Sequence, residues 1–253
     1  METLIRNTRE VGTSAGVLLP RSWLNKQVVV TLLQPSKEQI ARDVLDIIFK
    51  YGLNKEVKGI YLFGSYARED YDESSDIDIL VITEKLNKII NENNYEILFV
   101  SEDNFLKNLS SSLNYQSILN EAEVLFNKGL IEKYKIRKID FNFKKILDEI
   151  KRILKINKDM IDTAKENNEK ILDGTAYSLV LRFREMYLIK CILDNKKPNK
   201  KEFLDLTGEN VFNAYLRIKR NKKEINNINI KEAENIYELS EKWLKELKDW
   251  KKE

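Results

Sequence analysis

The run Asp76-Ile77-Asp78-Ile79-Leu80-Val81-Ile82 constrains the fold of this 253-residue chain more than any other stretch. Its β-branched composition and length read as a strand, whose successive side chains point to opposite faces. Leu80 and Ile82 share a face with Asp76 and Asp78, while Ile77, Ile79 and Val81 occupy the other. A strand apolar on both faces has to be covered on both, so it belongs at the centre of a sheet. Its two acids stand at the mouth, where negative charge is costly to bury.

The surrounding chain supplies the rest of an α/β unit. Ser36 and Gln39 have the spacing of a capping box, and Ile40, Val44, Ile47, Ile48 and Tyr51 then recur at helical spacing up to Gly52. Strands are expected at Gly59–Phe63, Asp76–Ile82, Tyr95–Val100 and Ala122–Phe126, with helices opening at Ser65 and at Glu102. Before this unit, short β-like runs alternate with turns, and Val28-Val29-Val30-Thr31-Leu32 reads as a strand. After about Lys128 strand signals cease. Three helical stripes follow: Phe143, Ile146, Leu147, Ile150, Ile153, Leu154, Met160 and Ile161; then Leu179, Phe183, Met186 and Tyr187; then Ala233, Ile236, Tyr237, Trp243, Leu244, Leu247 and Trp250. The expected class is therefore α+β and multidomain: a small β segment over residues 1–34, a mixed α/β domain over 35–130, and a helical bundle over 131–253.

Composition limits the chemistry. The chain has no histidine, which excludes Ser-His and Cys-His dyads and imidazole-bound zinc. Its single cysteine, Cys191, excludes an internal disulfide and suits a reducing cytoplasm. A metal site here should be hard and built from oxygen ligands. The balance of 44 basic to 41 acidic residues argues against a strongly basic nucleic-acid coat. No apolar run reaches the roughly 20 residues of a membrane span, so a membrane partner is not expected.

Within these limits one segment carries chemistry. The apolar strand ending at Phe63 runs into Gly64-Ser65 at the start of a helix, where free backbone N–H groups and a small hydroxyl suit a phosphate. Arg68, one turn later, can reach the same anion. Asp76 and Asp78, two apart on a strand, aim at one face and repel each other unless a divalent cation neutralises them. Magnesium fits, because it binds through one or two carboxylates and completes its shell with water and substrate phosphates.

Gly64-Ser65-x-x-Arg68 followed by Ser75-Asp76-x-Asp78 resembles the signature of the DNA polymerase β-like nucleotidyltransferase superfamily, in particular its small prokaryotic, antitoxin-type members. The likeness spans roughly Ser36 to Phe126. It implies that Gly64 and Ser65 hold a nucleoside triphosphate, that Asp76 and Asp78 ligate magnesium, and that a third carboxylate on a later strand helps activate the acceptor. Glu96, which opens the strand Tyr95–Val100, is the candidate for that third acid and metal ligand. The family usually carries aspartate there, and Glu96 reads equally as an exposed acid at a strand end.

The flanks carry weaker resemblances. Val11-Gly12-Thr13-Ser14-Ala15-Gly16-Val17-Leu18-Leu19-Pro20 with Trp23-Leu24 resembles the swapped-hairpin fold of the AbrB and MazE-like families, which implies an intertwined homodimer and contact with DNA through residues 1–34. Arg6, Arg9, Arg21 and Lys26 against Glu2 and Glu10 give that segment a mild positive balance. A segment that only dimerises is the alternative. The helical end resembles the substrate-binding bundles of kanamycin-nucleotidyltransferase-like and HEPN proteins. Arg182 and Arg184 lie on different sides of its helix, so at most one can face a nucleotide.

The leading expectation is a magnesium-dependent enzyme that moves a nucleoside monophosphate, AMP from ATP, to an acceptor hydroxyl, with a protein tyrosine as acceptor. A small-molecule acceptor is a second reading. A DNA-binding regulator whose nucleotidyltransferase domain only senses nucleotide is a third.

Overall fold

The computed structural model describes residues 4, 6, 8–30, 35–72, 75–137 and 141–249. Two compact units divide it, Met1–Arg42 and Asp43–Glu253. In the first, β1 (Arg9–Val11) pairs antiparallel with β2 (Ser14–Gly16) across a turn at Gly12-Thr13, and a short 3-10 turn follows at Arg21–Trp23. The strand expected from Val28 is not seen among the described residues. Val28, Val29 and Val30 have no strand pairing and are 43, 93 and 74% exposed, while Thr31 and Leu32 lie outside the described residues. A strand needs a neighbour to satisfy its N–H and C=O groups, and the described part of this unit holds only the short β1–β2 pair.

Helix α1 (Lys37–Lys50) begins as the capping box requires, Gln39 N–H donating to Ser36 Oγ at 3.2 Å. It ends at Gly52, whose φ of +66° allows Leu53 N–H to reach back to Ile48 O at 3.0 Å.

The second unit continues with β3 (Val57–Phe63), α2 (Gly64–Arg68), β4 (Ile77–Thr83), β5 (Lys88–Glu92), β6 (Tyr95–Ser101), α3 (Glu102–Leu109), α4 (Leu113–Glu121), β7 (Glu123–Phe126) and α5 (Lys128–Ile136). Among the described residues five helices follow: α6 (Lys144–Glu166), α7 (Asp173–Leu193), α8 (Lys200–Thr207), α9 (Glu209–Lys219) and α10 (Ile230–Asp249). The sheet order is β5-β6-β4-β3-β7, with β4 and β6 parallel and the other pairs antiparallel. The chain is thus mixed α+β.

Strand β4 is central, and Ile77, Ile79, Leu80, Val81 and Ile82 are all fully buried. Leu80 and Ile82 pack with Tyr61 and Val100 against Phe105, Leu109, Ile118, Ile131 and Tyr134 of α3, α4 and α5. On the opposite face Tyr95, in register with Ile77, donates its hydroxyl to Asp43 of α1 at 2.6 Å. The sheet is covered on both sides, as its central strand demands.

The helical stripes behave largely as expected. Leu179, Phe183 and Met186 are fully buried and Tyr187 nearly so, and they join Leu147, Ile150, Leu154, Ile161, Ala233, Ile236, Leu244 and Leu247 in one core. Met160 departs from its stripe and is 52% exposed, because Asn157, Ile161 and Ala164 form the inward line of α6 instead. Trp243 is half-buried, stacked on Phe183 at 4.5 Å; Trp250 lies outside the described residues.

A buried ion pair pins α7 to α9. Asp173, fully buried at the start of α7, accepts from Arg217 Nε at 2.6 Å and from its second fork nitrogen at 2.7 Å, and from Ile225 and Asn226 N–H at 3.1 and 3.2 Å. Arg217 and these amides hold its carboxyl below the usual range. Arg217→Ala strands that charge and is expected to lower unfolding stability by roughly 3–5 kcal/mol. Arg217→Lys recovers only part of it, for lack of a fork. Urea midpoints measure both, and an unchanged midpoint for Arg217→Ala refutes the pin.

Candidate active site

Strand β3 delivers the chain to Gly64 from an extended Phe63, and α2 starts immediately. Gly64 has φ +72°, and a Cβ added there would fall on Asp78 Oδ2 and within 2.8 Å of Asp78 Cγ. The backbone of the signature turn therefore lies directly against the Asp78 carboxylate. Only glycine permits both the conformation and the approach.

Asp78 is the second residue of β4, opposite Phe63 of β3 and in register with Glu96 of β6. Because β4 and β6 run parallel, Asp78 and Glu96 share a face. Asp76 stands exposed just before the strand and Glu96 is exposed at the opening of β6, whereas Asp78 is half-buried. Burial, then Glu96, Asp76 and Glu121, push the Asp78 carboxyl up to about 7, and Arg68 only partly opposes them. The predicted acids are thus brought together as one electrostatic cluster. Among the described residues no three of them close into a ready-made metal shell.

This donor set suits a hard divalent cation. It offers oxygen ligands only, its charge is under-compensated at Asp78, and its openness leaves positions for water and phosphate.

Arg68 is placed differently from its expected role. Its Nε bonds Asp70 Oδ2 at 3.1 Å and another fork nitrogen bonds Glu121 Oε2, leaving its side chain 19% exposed. Glu121, at the end of α4 and 4% exposed, had no signal in the sequence beyond a lone acid in a mixed helix. On α2 and the following turn, Tyr66 and Tyr71 stack at 4.3 Å, and burial followed by Tyr71, Asp72 and Asp76 raises the Tyr66 hydroxyl.

The bundle adds cations that sequence reasoning missed. Lys219 at the end of α9 is drawn below the ordinary lysine value by desolvation and by Arg184 and Arg220, while Asp78 and Asp76 pull the other way. Those charges are close enough to couple. Arg184 is the arginine that acts on Lys219, and Arg182 is bound to Glu185 at 2.8 Å. The stacked pair Tyr177–Tyr215, 5.4 Å between centroids, lies beside Arg184.

The mixed sheet with the Gly64-Ser65 turn set against Asp78 is consistent with a nucleotidyltransferase fold. The nucleotidyltransferase domain family matches residues 45–191, and this chain belongs to it. The match runs from α1 through the sheet to α7. A Methanocaldococcus jannaschii protein named "Putative protein adenylyltransferase MJ0604" is 35% identical over 85 residues, 28% of this chain and 79% of that protein. A second, "Putative protein adenylyltransferase MJ0141", is 47% identical over 34 residues; the match spans 13% of this chain and 34% of that protein, about a third of its length. A nucleotidyltransferase-like protein of solved structure from Exiguobacterium sibiricum aligns over 82% of this chain and 75% of its own, at 13% identity and a TM-score of 0.35.

Proposed function

We propose that this nucleotidyltransferase moves AMP from ATP, with magnesium, to an acceptor hydroxyl, and that the acceptor is a protein tyrosine. The observation that carries the reading is the Gly64-Ser65 turn set against Asp78, whose raised carboxyl calls for a cation. The names of the two archaeal relatives favour AMP and a protein acceptor.

In this reading Gly64 and Ser65 hold the triphosphate, with Arg68 supporting them through α2. Asp76 and Asp78, joined by Glu96, would hold magnesium. The bound metal supplies charge neutralisation on the carboxylates and phosphates. Glu96, the most open of the acids with Asp76, accepts the proton of the attacking hydroxyl. A bond forms from that oxygen to the α-phosphorus, the α–β bridging bond breaks, and pyrophosphate leaves. Lys219, Arg184 and Arg220 offset its growing charge.

The test incubates the protein with magnesium and ATP, CTP, GTP or UTP, follows pyrophosphate, and analyses candidate acceptor proteins and small hydroxyl compounds by mass spectrometry. Activity with ATP that is absent in Asp76→Ala supports the reading. Activity confined to small molecules moves the acceptor class, and none with any nucleotide or acceptor sinks it. Magnesium affinity is also expected to fall about tenfold per pH unit below about 7, as Asp78 takes up a proton. Calorimetric titration between pH 5 and 8 measures this; a flat profile removes Asp78 from the metal site.

The first unit favours a partner. Val11, Leu24, Val29 and Val30 are between 54 and 93% exposed, apolar surface that a second copy would cover. A homodimer formed through residues 1–34 is proposed on that ground, and DNA contact there on the balance of Arg6, Arg9, Arg21 and Lys26 over Glu2 and Glu10. Light scattering and gel shifts, with and without residues 1–34, decide between dimerisation alone and a DNA-binding regulator.

A further inference from the structure

The turn that leaves α2 is tied to the helical bundle. Asp70 Oδ2 receives both Arg68 Nε at 3.1 Å and the backbone N–H of Lys200 at 2.8 Å, while Asp70 Oδ1 is buried without a partner. Lys200 is the first residue of α8, and Asn199 is its cap. The contacts around this bond repeat its direction. Lys200 Nζ meets Asp72 at 2.6 Å, Lys197 Nζ reaches Ala67 O at 3.4 Å and Glu123 at 3.1 Å, and Asn120 donates to Lys196 O at 2.7 Å.

Helix α2 has five residues, too few to hold itself by its own hydrogen bonds. Its placement must come from outside. The sheet fixes one end through Phe63 and Gly64; the other end is held through Arg68, by Asp70 and by Glu121. Charge-assisted bonds in a poorly solvated setting are short and directional, so they transmit position well. A buried oxygen left unpaired is a cost that a merely decorative acid would not keep.

We infer that Asp70 is a positioning residue that relays the placement of α8 to α2, so that the bundle as well as the sheet sets where Gly64 and Ser65 meet the nucleotide. The functional half of this rests on the nucleotidyltransferase reading above; the mechanical half does not.

Lys200 offers a clean test. Proline is favoured at the first position of a helix, and Asn199 already has the extended backbone, φ −128° and ψ 125°, that a residue before proline adopts. Lys200→Pro therefore deletes the N–H that Asp70 accepts and keeps α8. Lys200→Ala keeps the N–H and deletes only the ammonium. In the whole 253-residue chain, amides of residues 65–70 are expected to exchange about tenfold faster in Lys200→Pro than in Lys200→Ala, with α8 matched. The KM for nucleotide is expected to rise about tenfold in Lys200→Pro with kcat nearly kept, and Lys200→Ala to stay within about twofold of wild type. Should α8 itself loosen, Asp70→Ala, which removes the acceptor and leaves the residues of α8 unchanged, carries the same comparison against wild type. Equal exchange at residues 65–70 overturns the relay whatever the activity. An inactive wild-type protein whose exchange still differs between the variants overturns the transferase reading alone.

Discussion

Gly64→Ala is expected to lower nucleotide transfer by about 100-fold or more while the sheet and bundle stay folded. The new methyl group is placed on the Asp78 carboxylate, and the φ of +72° disfavours any side chain. A left-handed alanine alone costs about 1–2 kcal/mol, which the second unit tolerates. The collision is relieved only if one of the two groups moves. Either α2 swings off the end of β3 or Asp78 rotates away from its neighbours, and each separates the phosphate-holding turn from the carboxylates. Circular dichroism, nucleotide binding and pyrophosphate release distinguish the two losses: secondary structure is kept, binding weakens and transfer nearly stops. Wild-type turnover in the alanine variant would mean that the close approach of backbone and carboxylate has no part in the reaction.

Asp78→Asn is expected to lower transfer by about 1,000-fold and, without magnesium, to stabilise the protein at neutral and higher pH. The two effects have one cause. The folded protein holds the Asp78 proton up to about 7, whereas an ordinary aspartate releases it near 3.8. Between those values the folded state binds a proton that the unfolded chain has lost, so this group's contribution to stability falls as pH rises from about 4 to about 7 and is flat above. Asparagine has no charge to disfavour. The melting temperature of Asp78→Asn relative to wild type should therefore climb across that window, and magnesium should narrow the gap by binding wild type alone. A variant that is less stable at pH 8 than at pH 4, relative to wild type, would show that the acid is satisfied within the protein and calls for no cation.

The part of this fold that could be read in advance is the part governed by local rules. Ser36 and Gln39 announce α1, and Ile77 to Ile82 announce a strand covered on both sides, because capping and alternation act over a few residues. Strand β5 escaped because it lies at the sheet edge: of Lys88 to Glu92 only Ile90 is buried, so alternation is nearly absent. Val28 to Val30 misled for the opposite reason, since β-branching states a preference that only a neighbouring strand can satisfy.

The site divides in the same way. Gly64, Ser65, Asp76 and Asp78 lie within one strand–turn–strand passage and could be placed by spacing. Glu96 could be read as opening a strand, but not as the parallel neighbour in register with Asp78. Glu121, Arg184 and Lys219 come from α4, α7 and α9, and no periodicity says that they converge. Arg68 shows the limit most clearly. Its spacing suits an anion, yet the fold supplies Asp70 and Glu121 first.

The complete burial of β4 beyond Asp78 has an evolutionary consequence. Every residue from Ile79 to Ile82 is fully enclosed, so a polar substitution there sacrifices the core before it can alter a substrate. Functional variation along this strand is confined to its first turn of chain. A change of substrate that spares the fold therefore has to be made at positions outside Ile79–Ile82.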